Sequence, residues 1–142
     1  MKKFTIYYLL LFAVLFNLAS CDKKDNDNPT PAASKQALLT AKTWKTNKIT
    51  MGGVDMTKDP FIGALFLTIT YKFNTDKTYT GTAIGLPTSG TWEFASNESV
   101  IVKDPGTDDE ERMTITELKE NSLKVSYVDP DDNAQMQLEF VH

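Results

Sequence analysis

Few residues of this 142-residue chain could carry out covalent chemistry. It has one cysteine, Cys21, and one histidine, His142, which is the last residue. A single terminal histidine cannot build a Ser/His/Asp or Cys/His nucleophilic system or a histidine metal cluster. Paired carboxylates could still act as acid and base, but most of them fall in turn-like segments at 104–111 and 129–132. We therefore expect no enzymatic activity, no cofactor and no metal.

Cys21 ends a segment with the three parts of an export signal. Lys2 and Lys3 give a basic start, residues 4–16 are mostly apolar, and the small residues Ala19 and Ser20 precede the cysteine. A membrane-spanning helix needs about 20 apolar residues, but here Asn17 and a charged run from residue 22 intervene. We predict a cleaved signal at 1–20; a retained membrane helix is the alternative.

The sequence Leu-Ala-Ser-Cys at 18–21 resembles the lipobox of bacterial lipoproteins. The resemblance implies that the Cys21 sulfur accepts a diacylglycerol, that cleavage occurs before Cys21, and that its new amino group is acylated. Since one acyl chain binds membranes only marginally, two or three chains would anchor the protein almost permanently. We expect a lipid-anchored cell-envelope protein whose membrane partner is reached through Cys21. An ordinary secretory cut that leaves a free thiol is the alternative.

Residues 21–33 are predicted to be the lipidated cysteine and a flexible tether, because they contain no large apolar side chain. The charged run at 22–27 resembles the signals that direct some Gram-negative lipoproteins to the cell surface. In other groups an aspartate after the cysteine retains the lipoprotein at the inner membrane. An outer-membrane location is our expectation, with the periplasmic or surface side left open. A net charge of −4 without a Lys/Arg cluster argues against nucleic acid.

Residues 34–142 are predicted to be one all-β domain that follows a short N-terminal helix at 34–42, with Ser34 as its N-cap. From Trp44 onward the apolar pattern has a period of two, and turn-like segments interrupt it at 74–77, 85–90 and 96–99. Short strands at even intervals favour an antiparallel, up-and-down barrel of about eight strands; a two-sheet sandwich is the alternative. The predicted strands are 44–51, 67–73, 78–83, 91–94, 100–103, 113–118, 123–128 and 135–141.

Four segments together resemble the lipocalin-like domain of bacterial lipoproteins, over about residues 38–140. They are Leu-Leu-Thr-Ala-Lys-Thr-Trp at 38–44, Tyr-Lys-Phe-Asn-Thr-Asp-Lys-Thr-Tyr at 71–79, Gly-Thr-Trp-Glu-Phe at 90–94 and Ile-Thr-Glu-Leu at 115–118. The resemblance implies a lipocalin-like barrel that binds a small apolar ligand. Two positions depart from the pattern: Lys42 stands where lipocalins place a glycine, and Lys77 stands in a hairpin that commonly carries one.

Aromatic side chains dominate the predicted inner face and the loop at 60–66. They could line a ligand cavity or fill the barrel, and any cavity should open at one end, under Gly52, Gly53 and that loop. The loop is unusually apolar, which indicates either a barrel plug or a contact surface. The candidate ligand-binding residues are Trp44, Phe61, Phe66, Tyr71, Phe73, Tyr79, Trp92, Phe94, Tyr127 and Phe140.

Two functions from different classes follow from these patterns. The first is a lipocalin-like lipoprotein that binds a small apolar ligand. Because we expect no Lys/Arg pair on the inner face, the ligand should be apolar, neutral or cationic rather than anionic. The second is a non-catalytic interaction module that docks onto an envelope protein through the loop at 60–66.

Overall fold

The computed structural model describes residues 33–128 and 133–142 of the chain. The predicted signal at 1–20, the candidate lipidation site Cys21 and the predicted tether as far as residue 32 lie outside the described residues. From Ala33 onward the chain is one unit with its own core. No helix of this described part has the length and apolar character needed to cross a membrane.

Two short helices and nine strands follow one another in this part of the chain. Ser34 caps the first helix: its side-chain oxygen accepts a hydrogen bond from the Ala37 N–H at 3.1 Å, as predicted. The elements are α1 (Lys35–Ala41), β1 (Trp44–Met51), β2 (Val54–Asp55), α2 (Ile62–Phe66), β3 (Thr70–Phe73), β4 (Thr78–Ala83), β5 (Leu86–Ala95), β6 (Val100–Lys103), β7 (Glu111–Lys119), β8 (Ser122–Val128) and β9 (Gln135–Val141).

The strands form one closed sheet, and every pairing in it is antiparallel. Strands β3 to β8 each pair with the next strand along the chain, and β1 closes the barrel by pairing with both β3 and β9. The β1–β9 pairing runs from Lys45 to Met51, whereas β1 and β3 share only the pairs at Trp44 and Lys45. The small strand β2 extends β1 outside the eight-stranded barrel. The predicted all-β, up-and-down barrel is confirmed.

Helix α1 covers one end of the barrel, which we call the closed end. Its Leu39 is fully buried, and the Leu39 carbonyl accepts a hydrogen bond from the Trp44 indole N–H at 2.9 Å. On the neighbouring strand, Lys72 Nζ donates to the Thr40 carbonyl at 2.6 Å. These bonds satisfy carbonyls that the last turn of a helix leaves without a partner. The helix is therefore fastened to the barrel by both packing and hydrogen bonds.

Aromatic side chains fill the barrel next to α1. The Phe73 and Trp92 rings meet edge to face with their centroids 5.6 Å apart, and Phe94 meets Trp92 in the same way at 5.2 Å. The Trp92 indole N–H donates to the Asn74 carbonyl at 3.0 Å. Trp92 is only 1% exposed, which confirms the prediction that it points inward.

The hairpin between β3 and β4 contains one of the two departures from the lipocalin pattern. Lys77 adopts a left-handed backbone with a φ of 70°, a conformation that costs a non-glycine residue about 1 kcal/mol. Its side chain makes two contacts that offset this cost. The Nζ atom donates to Gln36 Oε1 in α1 at 2.9 Å and lies 4.2 Å from the centroid of the Trp92 ring.

Two predicted segments have wrong bounds, and two short elements were missed. The strand predicted at 67–73 begins at Thr70, because Leu67 still belongs to the end of α2, where its N–H donates to the Gly63 carbonyl at 3.0 Å. Residues 86–90 of the turn predicted at 85–90 belong to β5, and the chain reverses at Ile84 and Gly85, both of which have positive φ. The short strand β2 and the helix α2, in the predicted loop at 60–66, were not predicted.

Candidate functional site

The end of the barrel opposite α1, which we call the open end, contains a cavity of about 530 Å³. Small-molecule sites in proteins commonly start at about 300 Å³. β1 and β3 pair only at Trp44 and Lys45, and helix α2, which lies between them in the chain, packs against β1. Phe66, the last residue of α2, lines the cavity.

One wall of the cavity is apolar. It is formed by Ile69, just before β3, by Met136 and Leu138 of β9, and by Phe66. Met136 and Leu138 are two residues apart and point to the same side of their strand, as a period of two requires. None of these aliphatic residues was among the candidate ligand-binding residues, all of which are aromatic.

The cavity also contains a largely buried polar cluster of Lys103, Tyr71 and Glu111, which we call the Lys103 cluster. The Lys103 ammonium donates to Tyr71 Oη at 3.0 Å and to Glu111 Oε2 at 2.6 Å. It also lies 4.6 Å from the centroid of the Tyr71 ring. Tyr71 and Glu111 line the cavity, and Lys103 lies behind them.

Lys103 is an inward-facing charged residue that the sequence analysis did not single out. It lies two residues after the buried Ile101 on β6, so it points to the same side of the sheet. The alternation on β6 is the signal in the sequence that points to it. The cation is paired with the Glu111 carboxylate.

The charges of the cluster follow from its surroundings. Burial disfavours the Lys103 ammonium, but the charge of Glu111 and the contacts with Tyr71 outweigh burial and raise the pKa of Lys103 above its ordinary value of 10.5. Burial is the main cause that raises the pKa of the Tyr71 hydroxyl above 10.0. At neutral pH, Lys103 is therefore a cation, and Tyr71 is a neutral hydroxyl.

A second tyrosine, Tyr79, lies next to Tyr71, but its hydroxyl has a different hydrogen-bond partner. The Tyr79 hydroxyl donates to Asp104 Oδ2 at 2.6 Å, and Asp104 Oδ1 accepts the Thr91 N–H at 3.0 Å. A Cβ atom at Gly90 would collide with the Asp104 carboxylate, so the glycine there makes room for this contact. The Tyr79 hydroxyl is thus held by Asp104, and Tyr79 does not line the cavity.

The rim of the cavity carries a surface ion pair. Arg112 donates to Glu110 Oε1 at 3.1 Å, and both side chains line the mouth. The hydrogen bond from the Gly106 N–H, followed by the bond from Arg112, lowers the pKa of Glu110. Glu110 is therefore a carboxylate at neutral pH, and its charge is offset by its neighbour.

Seven large apolar side chains are exposed in the segments that surround the open end, and we call them the apolar rim. Phe61 is 76% exposed and Leu86 is 71% exposed. Soluble monomers seldom leave so many large apolar groups together in water, and such patches are commonly binding surfaces. The apolar rim consists of Val54, Phe61, Leu65, Leu67, Ile84, Leu86 and Val128.

The structure separates the ten aromatic candidates into four groups. Phe66, Tyr71 and Tyr127 line the cavity together. Phe94 is half-buried against Trp92, and Phe61 is on the apolar rim. The remaining five are buried and fill the barrel: Trp44, Phe73, Tyr79, Trp92 and Phe140.

Within residues 33–128 and 133–142, no three His, Cys, Asp or Glu side chains come together as a metal site would require. His142 lies at the closed end, where its ring stacks on Trp44 with a centroid distance of 4.0 Å. No protein-family model and no curated protein matches the chain. The candidate site is therefore defined by the geometry of the open end alone.

Proposed function

We propose that the protein is a membrane-anchored, lipocalin-like lipoprotein of the cell envelope that binds a small apolar ligand at the open end of its barrel. The observation that carries this proposal is the cavity of about 530 Å³, with one apolar wall and an apolar rim. Ligand sites are typically concave and mostly apolar, with a few polar groups that orient the ligand. The Lys103 cluster supplies such polar groups.

The cluster favours binding over catalysis. A protonated lysine has no lone pair, so Lys103 offers neither a nucleophile nor a base at neutral pH. The only histidine is at the opposite end of the barrel, in contact with Trp44. We accordingly propose a binding protein that uses no cofactor and is not an enzyme.

The anchor is supported by the sequence. The lipobox-like residues at 18–21 end in Cys21, and the residues that follow are polar and charged. Acyl chains on Cys21 would hold the domain at a membrane, most simply the outer membrane, without help from the barrel surface.

Ligand binding is tested by titrating the purified protein with the apolar fluorescent probe N-phenyl-1-naphthylamine. Ala83 points into the mouth of the cavity, so Ala83→Trp should fill it and weaken probe binding by about tenfold or more, a change of about 1.4 kcal/mol. The matched control is Ala95→Trp, at the end of β5 that is distant from the cavity. This variant should bind the probe like the parent. No saturable binding by the folded parent, or equal binding by Ala83→Trp, would refute the proposal.

The anchor is tested by Cys21→Ser. We expect this variant to be released in soluble form or to accumulate unprocessed, whereas the parent remains with membranes after a high-salt wash. If the variant loses its signal and still fractionates with membranes as the parent does, the proposed lipidation is wrong.

The second candidate function, a non-catalytic interaction module, is favoured by the exposure of Phe61 and Leu86. Cross-linking in intact envelopes distinguishes it from ligand binding. An interaction module predicts that Phe61→Asp loses a specific cross-linked envelope protein but still binds the probe. Loss of probe binding without any change in cross-linking would favour the ligand-binding function.

A further inference from the structure

The Tyr71 hydroxyl has a hydrogen that no described neighbour uses. Lysine is a donor only, so in the contact between Lys103 Nζ and Tyr71 Oη the tyrosine oxygen must accept. The hydroxyl hydrogen of Tyr71 then remains available, and no acceptor for it lies within the described residues. Tyr71 is 5% exposed and lines the cavity. Because a buried donor without a partner is costly, a ligand acceptor at this position would be favourable.

Glu111 offers the complementary group. Its Oε2 accepts from Lys103, while its Oε1 receives no hydrogen bond from the part of the chain that the structure describes. The Glu111 side chain is 37% exposed and lines the same cavity as Tyr71. Tyr71 Oη lies 3.0 Å from Lys103 Nζ, and Glu111 Oε2 lies 2.6 Å from the same nitrogen. One donor and one acceptor therefore lie close together on one wall.

The charge of the cluster selects among head groups. Lys103 and Glu111 offset each other, so an anionic head would meet the Glu111 carboxylate without a free cation. A cationic head would have to compete with an ion pair at 2.6 Å, and separating a largely buried pair is costly. A neutral head group that accepts one hydrogen bond and donates another meets neither penalty.

We propose that the ligand is a neutral amphiphile with a hydroxyl head group, such as a long-chain alcohol or a monoacylglycerol. Its hydroxyl oxygen accepts from Tyr71, its hydroxyl hydrogen is donated to Glu111 Oε1, and its alkyl chain lies along Ile69, Met136 and Leu138. This inference rests on the proposed ligand-binding function and specifies the class of ligand.

The head-group preference is measured by displacing the bound probe from the purified protein with decanol, decanoate or decylammonium, which share one alkyl chain. We expect decanol to bind about tenfold more tightly than either charged analogue, because one buried and incompletely paired charge costs more than 1.4 kcal/mol. Probe binding with equal displacement by all three would overturn this inference alone. Absence of probe binding would instead overturn the proposed function.

The role of Tyr71 is tested by Tyr71→Phe, which keeps the ring and removes the hydroxyl. We expect the affinity for decanol, relative to that for the probe, to fall by about threefold to tenfold, the range for one neutral hydrogen bond. The matched control is Thr46→Val, which removes a buried hydroxyl that does not line the cavity. Unchanged decanol binding in Tyr71→Phe, or an equal loss in Thr46→Val, would contradict the proposal.

The role of Glu111 is tested by Glu111→Gln, which leaves the Lys103 charge unpaired. The preference should shift toward the anion, with decanoate gaining about tenfold relative to decanol, because the buried cation then attracts it. A preference identical to that of the parent would show that the cluster does not contact the head group. Since Tyr71→Phe retains the ion pair, that variant keeps the test valid if Glu111→Gln does not fold.

Discussion

The closed and open ends of the barrel use the same strands in different ways. On β4 and β9, the inward position near α1 is aromatic, and the inward residue that lines the cavity is smaller or aliphatic. The pairs, closed end first, are Tyr79 and Ala83, and Phe140 and Met136. On β3, Phe73 packs at the closed end, whereas Tyr71 lines the cavity and contacts Lys103 through its hydroxyl. The small side chains of β4 and β9 leave volume free at the open end. Stability and binding are concentrated at opposite ends.

The largest effect should come from truncating an aromatic residue at the closed end. Trp92→Ala should lower the free energy of unfolding by about 3–5 kcal/mol, because it removes a fully packed indole. Phe66→Ala at the cavity wall should lower it by about 1 kcal/mol or less, because Phe66 is half-buried beside empty space. Denaturant unfolding measures both values. Equal losses at the two sites would contradict the difference between the two ends.

Lys103→Met should lower the free energy of unfolding by about 2 kcal/mol. This is below the 3–5 kcal/mol for breaking a fully buried pair, because Glu111 remains partly in water. Glu111→Gln should have a larger effect than Lys103→Met, because it leaves the more deeply buried Lys103 ammonium without its partner, whereas the carboxylate that remains in Lys103→Met can rehydrate at the mouth. Urea unfolding of the two variants at neutral pH measures the difference, and no loss in Lys103→Met would show that the cluster is unimportant for stability.

The same cluster predicts a loss of stability at alkaline pH. The folded state raises the pKa of Lys103 above 10.5 and those of Tyr71 and Tyr79 above 10.0, so it binds these protons more tightly than the unfolded chain. This contribution is complete below about pH 10 and is lost as the pH rises through the folded-state pKa values. Unfolding followed from pH 8 to 11.5 should show the decline, and Lys103→Met should show a shallower one.

Thr46→Val should stabilise the protein by about 1 kcal/mol, because it removes a buried hydroxyl whose desolvation is not repaid. Thr46 Oγ1 has no hydrogen-bond partner among the residues of the described barrel, although the Thr46 N–H donates to the Ile69 carbonyl at 3.0 Å. Thermal or denaturant unfolding measures the gain. A clear loss of stability would indicate that the hydroxyl has a partner in solution.

Phe61→Ala should have the smallest effect on folding. Because the side chain is 76% exposed, the free energy of unfolding should change by no more than about 0.5 kcal/mol. If Phe61 belongs to a binding surface, its removal should alter ligand or partner binding without altering stability. A large destabilisation would place Phe61 in the core and remove the apolar rim as a separate surface.

The sequence predicted the fold better than the site, for a physical reason. Alternation and turn residues are local, and they located β1, β4, β6 and β9 with their exact limits. The predicted strand at 67–73 was partly wrong because tertiary packing made Leu67 the end of a helix. In the Lys103 cluster, Lys103 and Glu111 are cross-strand partners on consecutive strands, but Tyr71 lies 32 residues before Lys103, so no local pattern could assemble the whole cluster.

The most direct test of the account compares the two ends in one measurement. Backbone amide NMR spectra of the protein, recorded while decanol is added, report which residues the ligand affects. The account predicts saturable shifts around the cavity, at Tyr71, Glu111 and Leu138, and none of similar size around Leu39 and Trp92 at the closed end. Shifts centred on Leu39 and Trp92, or no saturable shifts at all in the folded protein, would contradict it.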